Sequence, residues 1–81
     1  MQTPDELREL AWVRHALSNG KAQEIRKSSY LTTGDVATAV AVTPVTVWRW
    51  ENKLRTPRGA VALRYARLLR SLSSATSEEA A

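Results

Sequence analysis

The stretch from Leu31 to Pro57 reads LTTGDVATAVAVTPVTVWRWENKLRTP and decides the fold of this chain. Thr32 and Thr43 each stand where a side-chain hydroxyl can cap the first turn of a helix, and a proline follows the second threonine. Apolar residues recur at the spacing of two buried helical faces: Val36, Ala37 and Val40, then Val47 and Trp50. The stretch therefore predicts a helix-turn-helix at about residues 33 to 52.

A further helix is predicted before this pair by a cap signal near the start of the chain. Thr3 and Glu6 have the spacing of a capping box, with Pro4 at the first helical position. The helix is expected to cover residues 4 to 19, because Gly20 follows. Its inner stripe is expected to contain Leu7, Leu10, Ala11 and Leu17, with Trp12 and Val13 at the margins.

Two more helices complete the prediction of an all-α chain. One is expected over residues 21 to 29, and the last over residues 60 to 72, where apolar residues again recur at helical spacing. Tyr65 is expected at the edge of this last helix. Residues 73 to 81 contain nothing large and apolar, and we expect a flexible tail after a single domain at residues 1 to 72.

Composition excludes several classes of function. The 81 residues contain no cysteine and a single histidine, His15, so neither a disulfide framework nor a metal cluster is expected. No paired carboxylates, activated nucleophile or phosphate-binding loop can be assembled, which argues against an enzyme. The longest apolar run is far too short for a membrane span. We expect a cytoplasmic protein with no cofactor and no small-molecule ligand.

Basic residues are concentrated in the middle of the chain. The net charge is +4, and eleven of the 12 basic residues lie between Arg14 and Arg70. Only Glu24, Asp35 and Glu51 oppose them there. A solvated surface is one explanation of such an excess, and a surface for a polyanion is the other.

The central stretch resembles the Cro and phage-repressor class of helix-turn-helix regulators, also called the xenobiotic-response-element class. The residues that carry the resemblance are Leu31-Thr32, Val36-Ala37, Ala41-Val42-Thr43, Val47, Arg49-Trp50-Glu51 and Pro57. It covers about residues 22 to 69. It implies a bundle of the lambda-repressor type, so that the predicted fold has five helices, of which the one at residues 4 to 19 is an addition that the resemblance does not cover.

The resemblance also implies a structural ion pair and two unusual helix ends. Arg26 is expected to face Glu51 and to join it bidentately. Many members of the class have glycine at the positions of Ala41 and Lys53, because a left-handed backbone costs glycine little. We expect Asn52 to take that conformation instead, or Lys53 to adopt it at a cost of about 1 kcal/mol.

DNA contacts are expected on the outward side of the second helix of the unit, which alone can reach base edges. Arg49 can donate to guanine, and Val45 can pack on a thymine methyl group. Thr46 is placed beside them, with helix packing as its other role. Trp48 is placed with these base-reading residues, in contact with a base or sugar along the groove edge; stacking on Arg55 and covering the margin of the core are its alternative roles.

Other residues are expected to contact phosphates rather than bases. They lie at the two helix starts and in the loop after the second helix, and they are Thr33, Thr43, Asn52, Lys53, Arg55 and Arg58. For each lysine and arginine, simple solvation is the alternative.

The sequence thus predicts a sequence-specific regulator that occupies an operator in double-stranded DNA, as in a phage or mobile-element Cro protein or repressor. Such modules usually dimerise on two half-sites, and a homodimer is possible here. Two alternatives remain open. One is an antitoxin or recombination accessory factor with the same DNA-binding module, and the other is a protein-interaction module that does not bind DNA.

Overall fold

Five α-helices and no strands make up the part of the chain that the structure describes. The structure is a computed structural model, and it describes the backbone of residues 3 to 80 and the side chains of residues 3 to 74. The helices are α1 (Pro4–Ser18), α2 (Lys21–Ser28), α3 (Thr33–Val40), α4 (Pro44–Glu51) and α5 (Gly59–Ala80). Within the described residues, none of these helices is long and apolar enough to cross a membrane.

Threonine caps begin three of the helices, as the sequence predicts. The Thr3 hydroxyl accepts from the Glu6 backbone N–H at 3.2 Å, while the Thr3 N–H donates to the Glu6 carboxylate at 3.0 Å. Thr32 and Asp35 form the same reciprocal box at the start of α3. Thr43 caps α4, where Pro44 occupies the first turn. These local bonds satisfy helix N–H groups that would otherwise have no partner.

The helices α2, α3 and α4 each end on a left-handed residue that is not glycine. These residues are Tyr30, Ala41 and Lys53, with φ angles of 60°, 63° and 63°. After α4, the Leu54 N–H donates to the Arg49 carbonyl at 2.8 Å and closes the turn. Asn52 has φ −95°, so the expectation that it takes the left-handed conformation was wrong, and Lys53 adopts it.

The core lies where α1, α2 and α3 pack on α5, and α3 packs on α4. Its buried residues include Val36, Ala37, Val40, Val47 and Trp50, as predicted for the central pair of helices. The predicted stripe of α1 was partly wrong. Leu10 and Leu17 are buried, but so are Val13 and Ala16, while Leu7 and Ala11 are exposed. The buried face of α1 is therefore rotated toward Val13, where α2 and α5 converge on it.

Tyr65 is buried rather than at the edge of α5. Its side chain is 1% exposed, and its ring lies 4.8 Å from the ring of Trp50. Its hydroxyl has no hydrogen-bond partner among the described residues. The expectation of an edge position was wrong because Tyr65 lies three positions after Ala62 and four before Leu69, both of which are buried, and so falls inside the apolar face of α5.

The last helix extends beyond its expected end near Leu72 and continues to Ala80. Serine, alanine and glutamate permit a helix, and no glycine or proline interrupts it. The expected flexible tail at residues 73 to 81 falls largely on side chains that lie outside the described residues, and it stays a prediction.

Candidate nucleic-acid interface

The helix α4 has one buried side and one exposed side. Val47 and Trp50 face the core and are 0% and 5% exposed. Val45 and Trp48 are 53% and 50% exposed on the other side, and Arg49 is exposed beside them. Because Trp50 and Val47 pack in the core, the outward side chains stand on a rigidly packed helix rather than on a loop.

Hydroxyl groups at the start of α4 are bonded to each other. The Thr43 and Thr46 hydroxyls lie 2.9 Å apart, and the Thr43 hydroxyl also accepts from the Thr46 N–H at 3.3 Å. Thr46 therefore shares in the cap of α4, a role that the sequence did not suggest, and base contact by Thr46 stays a prediction. Both hydroxyls keep lone pairs or a proton for a further partner.

A loop from Lys53 to Pro57 returns along α4 before α5 begins. Arg55 and Thr56 in this loop line a shallow cleft of about 250 Å³ together with Thr46, Arg49 and Trp50. Pro57 is buried and fixes the end of the loop. Arg49 and Arg55 thus flank one cleft, and no acidic residue lines it in the described part of the chain.

The other expected phosphate contacts lie around these groups. Asn52 caps the end of α4, and its side-chain amide donates to the Trp48 carbonyl at 2.9 Å. Lys53 and Arg58 are exposed on either side of the loop, and Thr33 is half-buried in the first turn of α3. The contacts expected for these side chains with DNA stay predictions.

The ion pair implied by the resemblance is present. The Arg26 guanidinium donates to both carboxylate oxygens of Glu51, at 2.7 and 2.9 Å, and also to the Leu31 carbonyl at 2.9 Å. The Arg26 and Glu51 side chains are 11% and 1% exposed. The hydrogen bonds with Glu51 raise the pKa of Arg26 above its usual value, against the opposing effect of burial. The pair links α2 to the last turn of α4.

Arg14 on α1 is a neighbour of this surface that the sequence does not reveal. Its Nε and Nη2 atoms donate to the Pro57 carbonyl at 3.4 and 3.2 Å. The partners lie 43 positions apart, and no local pattern in the sequence brings them together. Only the placement of α1, which the resemblance does not cover, could have revealed it.

The side chains that line the cleft beside α4 are basic, hydroxylic or aromatic. Within the described residues, no group of three or more histidine, aspartate or glutamate side chains could hold a metal ion. The available chemistry is that of guanidinium and ammonium groups, two hydroxyls and an exposed indole.

Comparisons with protein-family models, with curated proteins and with solved structures give no match to this chain.

Proposed function

We propose that this protein is a sequence-specific double-stranded DNA-binding transcriptional regulator of the Cro and phage-repressor type. In this proposal α3 and α4 form the helix-turn-helix, α4 enters the major groove, and the bundle has the lambda-repressor arrangement. The observation that carries it is the exposed side of α4, where Val45, Trp48 and Arg49 project while the opposite side is anchored in the core.

The residue types on this side suit base readout. Arg49 can donate two hydrogen bonds to the O6 and N7 atoms of guanine, and Val45 offers an apolar surface to a thymine methyl group. Thr46 can donate or accept through its hydroxyl. Trp48 offers an exposed indole, and its proposed place is against a base or a sugar at the edge of the groove.

Phosphate contacts would fix the register of α4 on the duplex. Lys53, Arg55 and Arg58 follow α4 directly, and Thr33 and Thr43 stand at the starts of α3 and α4. Backbone N–H groups at helix starts and basic side chains in loops are frequent phosphate partners. The Asn52 amide would extend this line of contacts.

Regulation would follow from occupancy of an operator, which blocks or recruits polymerase without catalysis. A phage or mobile-element Cro protein or repressor is the form of regulator that we propose. A homodimer would read two half-sites about one helical turn apart.

The experiment is selection of bound sequences from random duplexes, followed by titration of the selected and a scrambled duplex at several salt concentrations. We expect a log-log salt slope of about −4 to −8, as counterion release predicts for roughly 4 to 9 phosphate contacts. Arg49→Ala should lose discrimination between the two duplexes more than it loses affinity for the scrambled one.

Arg67→Ala is the matched control, since it removes the same charge from the exposed surface of α5, beside Glu6 and Glu9. It should leave discrimination unchanged. Absence of any bound duplex at low salt would overturn the proposal, and full discrimination by Arg49→Ala would remove Arg49 from the set of base-reading residues.

Protein binding is the second candidate, because three large apolar residues are exposed on or beside α4. Val45, Trp48 and Leu54 are 53%, 50% and 62% exposed. Exposed apolar side chains also suit a protein partner, and an antitoxin or a recombination accessory factor would combine both kinds of surface. Binding to a partner protein that hardly changes with salt, without any DNA shift, would favour the second candidate.

A further inference from the structure

The loop from Lys53 to Pro57 separates two clefts, and the second cleft leads to α1. The first lies along α4, as described above. The second, of about 250 Å³, is lined on the α1 side by Arg14, Leu17 and Ser18, and on the loop side by Lys53 and Arg55. Trp50, Arg55 and Thr56 line both clefts. A basic surface therefore continues from Arg49, across the loop, to Arg14.

Arg14 is exposed, and its side chain is restrained by contact with the loop. Two of its guanidinium atoms donate to the Pro57 carbonyl, and Pro57 is itself buried. A guanidinium carries further N–H groups, and these have no hydrogen-bond partner among residues 3 to 74. An arginine held in this way loses less side-chain entropy when it binds an anion than one that moves freely.

The charge along α1 changes sign from one end to the other. Its first half carries three acidic residues, Asp5, Glu6 and Glu9, against one basic residue, Arg8, and Glu9 accepts from Arg70 on α5 at 2.9 Å. Its last turns carry Arg14 and His15, and no acidic side chain from the described residues lines the cleft there. The basic end of α1 is the one that points to the loop after α4.

We propose that α1, the helix added to the family-like core, extends the DNA interface, with Arg14 binding a backbone phosphate that flanks the segment read by α4. This inference rests on the proposed function. Arg14, Lys53 and Arg55 would then hold the phosphate chain as it leaves the major groove. The contact adds affinity on any sequence, because phosphates carry no base identity.

The test uses the full chain with three variants: Arg14→Gln, Arg14→Lys and the matched control Arg8→Gln. Arg8 lies on the same helix, is exposed and pairs with Asp5, so its loss changes net charge equally at the other end of α1. Affinities for the selected and the scrambled duplex are measured across a salt series, and thermal unfolding is recorded for each variant.

We expect Arg14→Gln to weaken binding to both duplexes by a similar factor and to reduce the magnitude of the salt slope by about 0.9. Arg14→Lys should retain most of the salt slope, because its ammonium group keeps a positive charge that can reach a phosphate. It loses the pair of guanidinium bonds to the Pro57 carbonyl. Arg8→Gln should match the unmodified protein.

Other outcomes distinguish this inference from the proposed function. If the unmodified protein binds no DNA, the proposed function fails. If it binds, and Arg14→Gln keeps the full slope, the inference alone is overturned. Equal weakening by Arg14→Gln and Arg14→Lys, with an unchanged slope and a lowered melting temperature, would show that Arg14 only positions the loop.

Discussion

The hydroxyl of Tyr65 is a buried polar group without a partner in the described residues. Burial raises the pKa of Tyr65 well above its ordinary value, and the negative charge of Glu51 adds to this increase. Tyr65→Phe removes the hydroxyl and keeps the ring against Trp50. We expect it to raise the free energy of unfolding by about 1 kcal/mol in urea titrations at neutral pH, since an unsatisfied buried donor is costly.

The same group predicts a loss of stability at high pH. An acid whose pKa is raised on folding keeps its proton in the native state while the unfolded chain ionises, so stability falls as pH rises above the ordinary value of tyrosine. The free energy of unfolding should therefore drop between about pH 9 and pH 11. The drop should be smaller in Tyr65→Phe, and equal drops in both proteins would contradict the assignment to Tyr65.

The positions of residues could be predicted from the sequence where they depend on close neighbours in the chain. The caps Thr3, Thr32 and Thr43 were predictable because a cap and its partner lie three residues apart. Tyr65 could not be placed in the same way, because its burial depends on how α5 packs against Trp50. The exposed positions of Val45 and Arg49 follow from helical spacing, while their contacts with DNA stay predictions.

At the scale of the element, the ends of α2, α3 and α4 are sites where a substitution can raise the stability of the protein. Each uses a left-handed residue with a side chain, which costs about 1 kcal/mol relative to glycine. Ala41→Gly should therefore stabilise the protein by up to about 1 kcal/mol in chemical denaturation.

Ala39→Gly provides the matched control, because Ala39 is exposed in the last turn of α3, only two residues away. The same substitution there meets ordinary helical backbone and should destabilise by about 0.5 to 1 kcal/mol. Effects of the same sign in the two variants would contradict the assignment of strain to Ala41.

These helix ends were harder to predict than the helix starts. A capping threonine can be recognised because threonine is typical of helix N-caps, whereas Tyr30, Ala41 and Lys53 are not residues that favour a left-handed backbone. Their conformation is imposed by the turn that each helix must make to reach the next. The end of α5 could not be predicted from residue types either, since no residue from 73 to 80 prevents a helix from continuing.

For the whole molecule, the pair of Arg26 and Glu51 is the least exposed ion pair between helices in the described part of the chain. Removing Glu51 leaves a guanidinium that is 11% exposed without its carboxylate. Glu51→Ala should lower the free energy of unfolding by up to roughly 3 kcal/mol, measured by urea denaturation.

Replacing both partners, with Arg26→Met and Glu51→Leu, should recover most of that loss, because apolar groups of similar size need no partner. A double variant as unstable as Glu51→Ala would show that the loss does not come from an unpaired buried charge. The resemblance made this pair predictable. The bond from Arg14 to Pro57 was not, because it depends on where the added helix α1 lies against the loop.

The link from Arg26 to Glu51 has a consequence for how α4 meets any partner. The Arg26 guanidinium joins α2, the turn at Leu31 and the end of α4. Local unfolding of α4 alone would therefore leave this guanidinium without its carboxylate partner. The amide protons bonded within the last two turns of α4 should exchange with solvent only when the entire chain unfolds. The helix then docks already ordered, and the heat-capacity change of association should reflect the surface covered, with no contribution from coupled folding.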